Sequence, residues 1–326
     1  MSLEKKEKFI ANFIIDRLKK DQRKMYRVEE TPKAFHAKTH VVLDAEFVIP
    51  INLPPDFQCG IFATPQTIPC KLRYSSASST ITSDLKTSVT GLAVQLQHDN
   101  GDAMGLGFTL QSMKTFPLGT PNVAYDIFFW ITFTRFIMIN MFFVGIVFLF
   151  KGNIMRLWEL KKALKVHSSL NFTSFYSTTP YAFGNDRVVK YRIRPMKYQL
   201  PLDVLQDENR LTHEMHAYYE QETSRFEFGV QLQQDKKLMP TEDASVEWEE
   251  DVEKGGMCFF PIAYINIKSQ VVEESSKIDW GKLARFEVDV EKFPEHIPLG
   301  GINRLRQLIY QEMHDFHVES LNDGVV

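Results

Sequence analysis

The stretch from Ile127 to Phe150 constrains this chain most: 24 residues carry a single charge, Arg135. As one helix it would be about 36 Å long, enough to cross a bilayer. Lys151, Arg156, Lys161, Lys162 and Lys165 follow it, opposed only by Glu159. In isolation this reads as a transmembrane helix with a basic flank.

The sequence on either side reads differently. KTHVVLDAEFVIP (38–50) is rich in β-branched residues, and LPPDFQCGIFATPQTIPC reads as a loop punctuated by proline. Further strand candidates are 71–76, 91–97, 104–111, 187–201, 224–235 and 258–272. Phe226, Phe228, Val230 and Leu232 alternate with other residues at period two, as in a half-buried strand. So many short strands predict an antiparallel barrel or sandwich. Two helices frame it. The first 25 residues place Ile10, Ile14 and Leu18 at helical spacing, interrupted by charges. That pattern is an amphipathic arm, packed on its own domain or on a second subunit, and not a signal peptide. From Asn303 to about Phe316, after Gly300 and Gly301, Leu305, Leu308 and Ile309 form one apolar face.

Composition removes several classes. The net charge is −3, so the chain as a whole gives no nucleic-acid signal. Cys59, Cys70 and Cys258 form no CxxC pair, which excludes a zinc ribbon or redox dithiol and suits a reducing, cytoplasmic compartment. No GxGxxG follows a strand candidate, so no nucleotide cofactor is expected.

On the last helix Arg306 and Tyr310 are spaced i, i+4 and share a face. A guanidinium beside a phenol favours the phenolate, a hard anionic ligand suited to ferric iron. An RxxxY spacing is common, and a tyrosine packed on the core with its hydroxyl on an arginine is the plain alternative. Its context carries more: TPKAFHAKTHVVLDAEFVI, CKLRYSSASSTITSDLKTSVTGLAVQL, FTLQSMKTFPLGTP and GGINRLRQLIY occur in that order. Together they resemble the haem catalase superfamily. YSTTPYAFGNDRVVKYRIRP, MPTEDASVEWEE and EHIPLGGINR resemble its short catalase-related branch, which includes allene oxide synthases and small haem peroxidases. The resemblance runs with gaps from about residue 30 to 317.

The resemblance implies an α+β fold: an eight-stranded antiparallel β-barrel with surrounding helices, a C-terminal helix carrying the haem-ligand tyrosine, and haem b as cofactor. It implies a haem domain over 26–317 with a hydrophobic helical insertion at 127–150, after an N-terminal helix (1–25) and before a short tail (318–326). Tyr310 would be the axial ligand, the tyrosine role established for catalases. Arg306 would hold it as tyrosinate. His36 would be the distal base and Ser75 would orient it. Arg73 and Lys33 would face the haem propionates. Phe116 would pack on the macrocycle.

Two departures stand out. Catalases place an asparagine in the distal pocket, yet GDAMGLGFTLQSMKTFP contains none, and the aligned residue is Gly107 or Met104. Allene oxide synthases have threonine before the distal histidine, where this chain has Phe35. Other histidines read plainly. HEMH (213–216) lacks HExxH spacing and reads as surface; His314 and His317, at i, i+3 on the last helix, read as surface, with a position facing the haem or a metal as the alternative. His40, four residues beyond His36, would share its strand face as a packing or supporting residue.

If His36 and Tyr310 enclose one haem, both flanks of the hydrophobic run lie in one domain, which excludes a single crossing. The run then either dips into one leaflet as a hairpin broken near Arg135 or Asn140, its basic flank on anionic head groups, or forms an internal or dimer-interface helix. Three functions fit: a haem enzyme consuming organic or fatty acid hydroperoxides, a haem store or sensor with little turnover, and a haem-free lipid-binding barrel. The partners expected are a peroxide substrate, a membrane surface touched through 127–165 by a peripherally attached protein, and a second copy in a homo-oligomer.

Overall fold

The computed structural model describes residues 3–25, 35–132, 137–151, 156, 158, 161–162, 164–197, 206–272, 280–281 and 284–322. Lys33 and Arg135 lie outside these residues.

Nine strands form one antiparallel sheet: β1 (Thr39–Ile49), β2 (Gln66–Ser76), β3 (Thr90–Gln97), β4 (Ala103–Gln111), β5 (Phe175–Tyr176), β6 (Tyr181–Phe183), β7 (Arg187–Pro195), β8 (Ser224–Leu232) and β9 (Phe260–Ile267). Their order is β5-β4-β3-β2-β1-β9-β8-β7-β6, and β5 also pairs with β7. That pairing closes eight strands into a barrel and leaves β6 as a flap on β7. An eight-stranded barrel is narrow enough for side chains to fill. Here phenylalanine does much of the filling: Phe228 lies 5.1 Å from Phe47 and 4.9 Å from Phe108 between ring centroids.

The strand β2 begins at Gln66, inside the stretch the prolines had marked as loop. Residues 66–69 pair with β1 alone, and pairing with β3 starts at Cys70. Pro69 therefore sits on a free edge, where a missing N–H is tolerated. The sequence pattern missed the short β5 and β6 and the helix α4 (Arg210–Gln221) that packs on β1.

A helical layer covers one side. Helix α1 (Leu3–Met25) packs along the C-terminal helix, here α5 (Gly301–Asn322), through Ile10, Ile14, Leu305 and Ile309. Arg304 pairs with Glu7, and Lys19 with Glu312. The N-terminal helix thus packs on its own domain, and α5 continues through residues assigned from sequence to a tail.

The apolar run is not one helix. Thr120 caps α2 (Pro121–Ile131), with proline at its first position, and α3 (Ile137–Phe150) returns antiparallel to it. Asn140 donates to the Ile131 carbonyl at 2.8 Å, meeting an acceptor left open at the end of α2. Trp130 stacks on Phe143 at 5.2 Å, and Lys151 closes the pair on Asp126 at 2.6 Å. No helix among the described residues is long and apolar enough to cross a membrane. The basic flank is partly internal as well, since Arg156 pairs with Asp243.

Candidate active site

Helix α5 is fixed at its start. Gly300 takes a positive φ of 86° and the Gly301 N–H donates to Glu242. Asn303 donates to the Pro180 and Leu299 carbonyls, tying the helix to the loop before β6. This turns Arg306 and Tyr310 toward the barrel, where they line a cavity with His36, Ser75 and Arg73.

Arg306 Nε donates to the Tyr310 hydroxyl at 3.3 Å. Its remaining nitrogens donate to Thr109 Oγ1 at 3.1 Å and Thr179 Oγ1 at 3.5 Å. Thr109 on β4 and Thr179 between β5 and β6 therefore aim the guanidinium. Burial works against the Arg306 charge, but Tyr310, Tyr181 and Glu287 hold its pKa above the ordinary value.

Across the cavity, His36 precedes β1 and takes a left-handed φ of 56°, a conformation costly for most residues though least so for Asn, Asp and His. Its Nδ1 is hydrogen-bonded to Ser75 Oγ at 3.0 Å. Arg73 Nη2 donates to the His36 carbonyl at 2.6 Å and to Thr39 Oγ1 at 2.8 Å. Gly91 faces Ser75 in the β2–β3 register, and a Cβ there would lie 2.5 Å from the His36 ring. The imidazole thus rests against bare backbone. Arg73 is buried, which lowers its pKa to about 10, and no acidic side chain pairs with it among the described residues.

His36, Ser75, Arg73, Arg306 and Tyr310 are all brought together. Phe116 does not line the cavity: it packs on the same apolar cluster as Phe35 and Tyr310, with its N–H donating to the Ala244 carbonyl. His40 does not share a strand face with His36. It lies within β1, between Ser76 and Thr212, and burial lowers its pKa to about 4. His314 and His317, read as surface, line the cavity, and His317 is buried. The spacing 306, 310, 314, 317 continues one helix face, a signal present in the sequence. HEMH lies away from the cavity but is not a surface segment: only His213 is exposed, beside Asp207, while Met215 is buried in the core, Glu214 accepts from Ser169 and His216 is bonded to the His40 carbonyl. Gly107 lines the cavity, whereas Met104 packs at the barrel core.

Thr109 and Thr179 carried no sequence signal. The segment 284–288 was missed too; it runs along β3 and β4, with Gln95 donating to the Arg285 carbonyl and the Asp289 N–H to the Gly105 carbonyl.

No family model matches the chain, and no curated protein matches it. Solved structures do. A fungal catalase crystal structure superposes over 92% of this chain with a TM-score of 0.68 at 12% identity. Catalase A from Saccharomyces cerevisiae superposes over 90% with a TM-score of 0.65 at 13% identity. The chain matches 62% of the length of each. The closed eight-stranded barrel, the helices around it and the C-terminal helix that carries Tyr310 are thus a catalase-like fold.

Proposed function

We propose that this protein is a haem-dependent peroxidase whose substrates are organic hydroperoxides, fatty acid hydroperoxides foremost. One observation carries the reading: a tyrosine held by an arginine at 3.3 Å lines the same cavity as a histidine held by a serine at 3.0 Å. The first would supply an oxygen ligand to iron and the second a proton-transfer group.

The residues fit haem b in a second respect. Arg73 is a buried guanidinium with no carboxylate partner among the described residues, and a buried cation calls for an anion. A propionate would supply it. Tyr310 would hold the iron, with Arg306 stabilising the phenolate. A bound haem would supply the redox chemistry that cleaves the O–O bond. The remaining work falls to this chain. Ser75 fixes the imidazole through Nδ1, so proton exchange falls to His36 Nε2. That nitrogen takes the proton from the hydroperoxide's terminal oxygen and returns it to the departing oxygen.

The cavity walls include Phe35, Leu92, Leu110, Phe286 and Val288. Such walls favour a hydrocarbon chain at about 0.8 kcal/mol per buried CH₂. Hydrogen peroxide gains nothing from them, and the amide that catalases offer it is absent. Fatty acid hydroperoxides should therefore be turned over at least about tenfold better per unit substrate, which requires only about 1.4 kcal/mol of differential binding.

Haemin titration followed by absorption spectroscopy is the test. The wild type should bind haemin with a high-spin ferric tyrosinate spectrum, and Tyr310→Phe should not retain it. Haem retained with an unchanged spectrum in Tyr310→Phe removes the ligand assignment. Faster turnover of hydrogen peroxide than of a fatty acid hydroperoxide removes the substrate assignment.

A further inference from the structure

The α2–α3 hairpin presents an apolar surface to solvent. Asn140, Val144 and Phe148 form the buried face of α3, against α2. Met138, Met141, Phe142, Leu149 and Phe150 point away, with Phe142 65% and Phe150 85% exposed. A helix of 14 residues with long apolar side chains on its outer face is unusual at a water interface. Just beyond it Trp158 is 52% exposed, with the Lys162 ammonium 3.2 Å above its ring. Lys161, Lys162 and Lys165 are all exposed.

We propose that this hairpin is a docking surface for a bilayer containing anionic lipid. Charge selects this occupant. Between residues 127 and 185 the sequence has six basic residues and one acidic residue, within a chain whose net charge is −3; Lys151 and Arg156 pair with Asp126 and Asp243, and the exposed Lys161, Lys162 and Lys165 carry the surface charge. Phenylalanine and methionine would enter the acyl boundary, tryptophan would sit at head-group level, and lysines would meet lipid phosphate. The helix would lie in the interface plane, as its length requires. A second copy of the chain suits the surface less well, because a two-fold contact sets each patch against its own copy and brings like charges together. The surface would place the protein where acyl hydroperoxides form. It does not depend on the haem reading, because binding is read without peroxide or haem.

The experiment is co-sedimentation of the full chain with phosphatidylcholine vesicles, with and without phosphatidylglycerol, at low and high salt. The wild type should bind the anionic vesicles at least about tenfold more tightly, and salt should weaken this. Phe142→Ser with Phe150→Ser should lower binding to both vesicle types by about tenfold or more. Replacing Lys161, Lys162 and Lys165 by Gln should remove the anionic preference while leaving the melting temperature unchanged. These positions are exposed, so the variants should fold, and the lysine variant and the salt series provide a readout if the phenylalanine variant does not. No binding to anionic vesicles at low salt overturns the proposal. So does a concentration-dependent dimer in sedimentation velocity that Phe142→Ser dissociates without any loss of vesicle binding.

Discussion

The ring of Phe35 lies against the ring of Tyr310, with centroids 5.8 Å apart and planes tilted by 49°. Phe35 immediately precedes His36, so one short segment carries the proposed proton-transfer group and a ring packed on the proposed iron ligand. A large planar group that approached Tyr310 through the cavity would meet the Phe35 ring. Phe35→Ala should therefore bind haemin several-fold faster, read by stopped-flow absorption, with the final tyrosinate spectrum retained. An unchanged association rate would mean that Phe35 stands clear of the route to Tyr310.

His36→Ala should keep haem and lose reaction with hydroperoxide by about 10² to 10⁴, the usual contribution of a general base. Ser75→Ala should be milder, because it removes one hydrogen bond of about 1 kcal/mol and leaves the imidazole in place. The pH dependence separates the two roles. Loss of the base should flatten the profile of the peroxide step, whereas loss of Ser75 should only displace it. A His36→Ala rate within a factor of two of the parent would take His36 out of the mechanism.

Acid should destabilise the protein before its carboxylates titrate. His40, His167 and His296 are buried, and desolvation brings each pKa down to about 4. In the unfolded chain each has an ordinary value of about 6.5. Between those values the unfolded state binds more protons, so stability is full above about pH 6.5 and falls as the pH drops toward 4. Each site has a ceiling of about 3 kcal/mol from a shift of this size. Urea midpoints at pH 7 and pH 5 should show the loss, and His40→Gln should reduce it. Equal midpoints at the two pH values would count against buried neutral histidines.

The barrel strands with strong alternation were legible in the sequence, because Phe226, Phe228 and Val230 mark one apolar face; the expected half-burial was not met, since Glu227 and Gln231 on the other face are buried too. The site was legible where chemistry sits at helical spacing, as at Arg306 and Tyr310. It was not legible where backbone geometry decides. The left-handed turn at His36 separates it from the strand, so the four-residue spacing to His40 did not place the two rings together. The apolar run misled for a related reason: hydropathy records which residues avoid water but not where the chain reverses. Thr109 and Thr179 reach Arg306 only after barrel closure brings β4 near the residues that follow β5. Such contacts leave no local trace.

At Gly107, one of the two positions that the resemblance aligns with the catalase asparagine, packing excludes a side chain. Gly107 lies on β4, and a Cβ built there would stand 2.3 Å from the Phe286 carbonyl oxygen. That oxygen belongs to backbone held by the Gln95 donation to Arg285 and the Asp289 donation to Gly105, so it cannot turn aside as a side chain could. Restoring the amide found in catalases at this aligned position should therefore fail to create a catalase. Gly107→Asn should lower stability by about 3 kcal/mol, at the upper end of ordinary overpacking. It should also push the 284–288 segment away from β4, and leave hydrogen peroxide turnover no faster than in the parent. Even Gly107→Ala should be destabilising, because the clash begins at Cβ. Thermal melts of both variants, beside oxygen evolution from hydrogen peroxide, provide the check. A Gly107→Asn protein as stable as the parent, with faster oxygen evolution, would show that segment 284–288 yields and that the substrate preference proposed above rests on the missing amide alone.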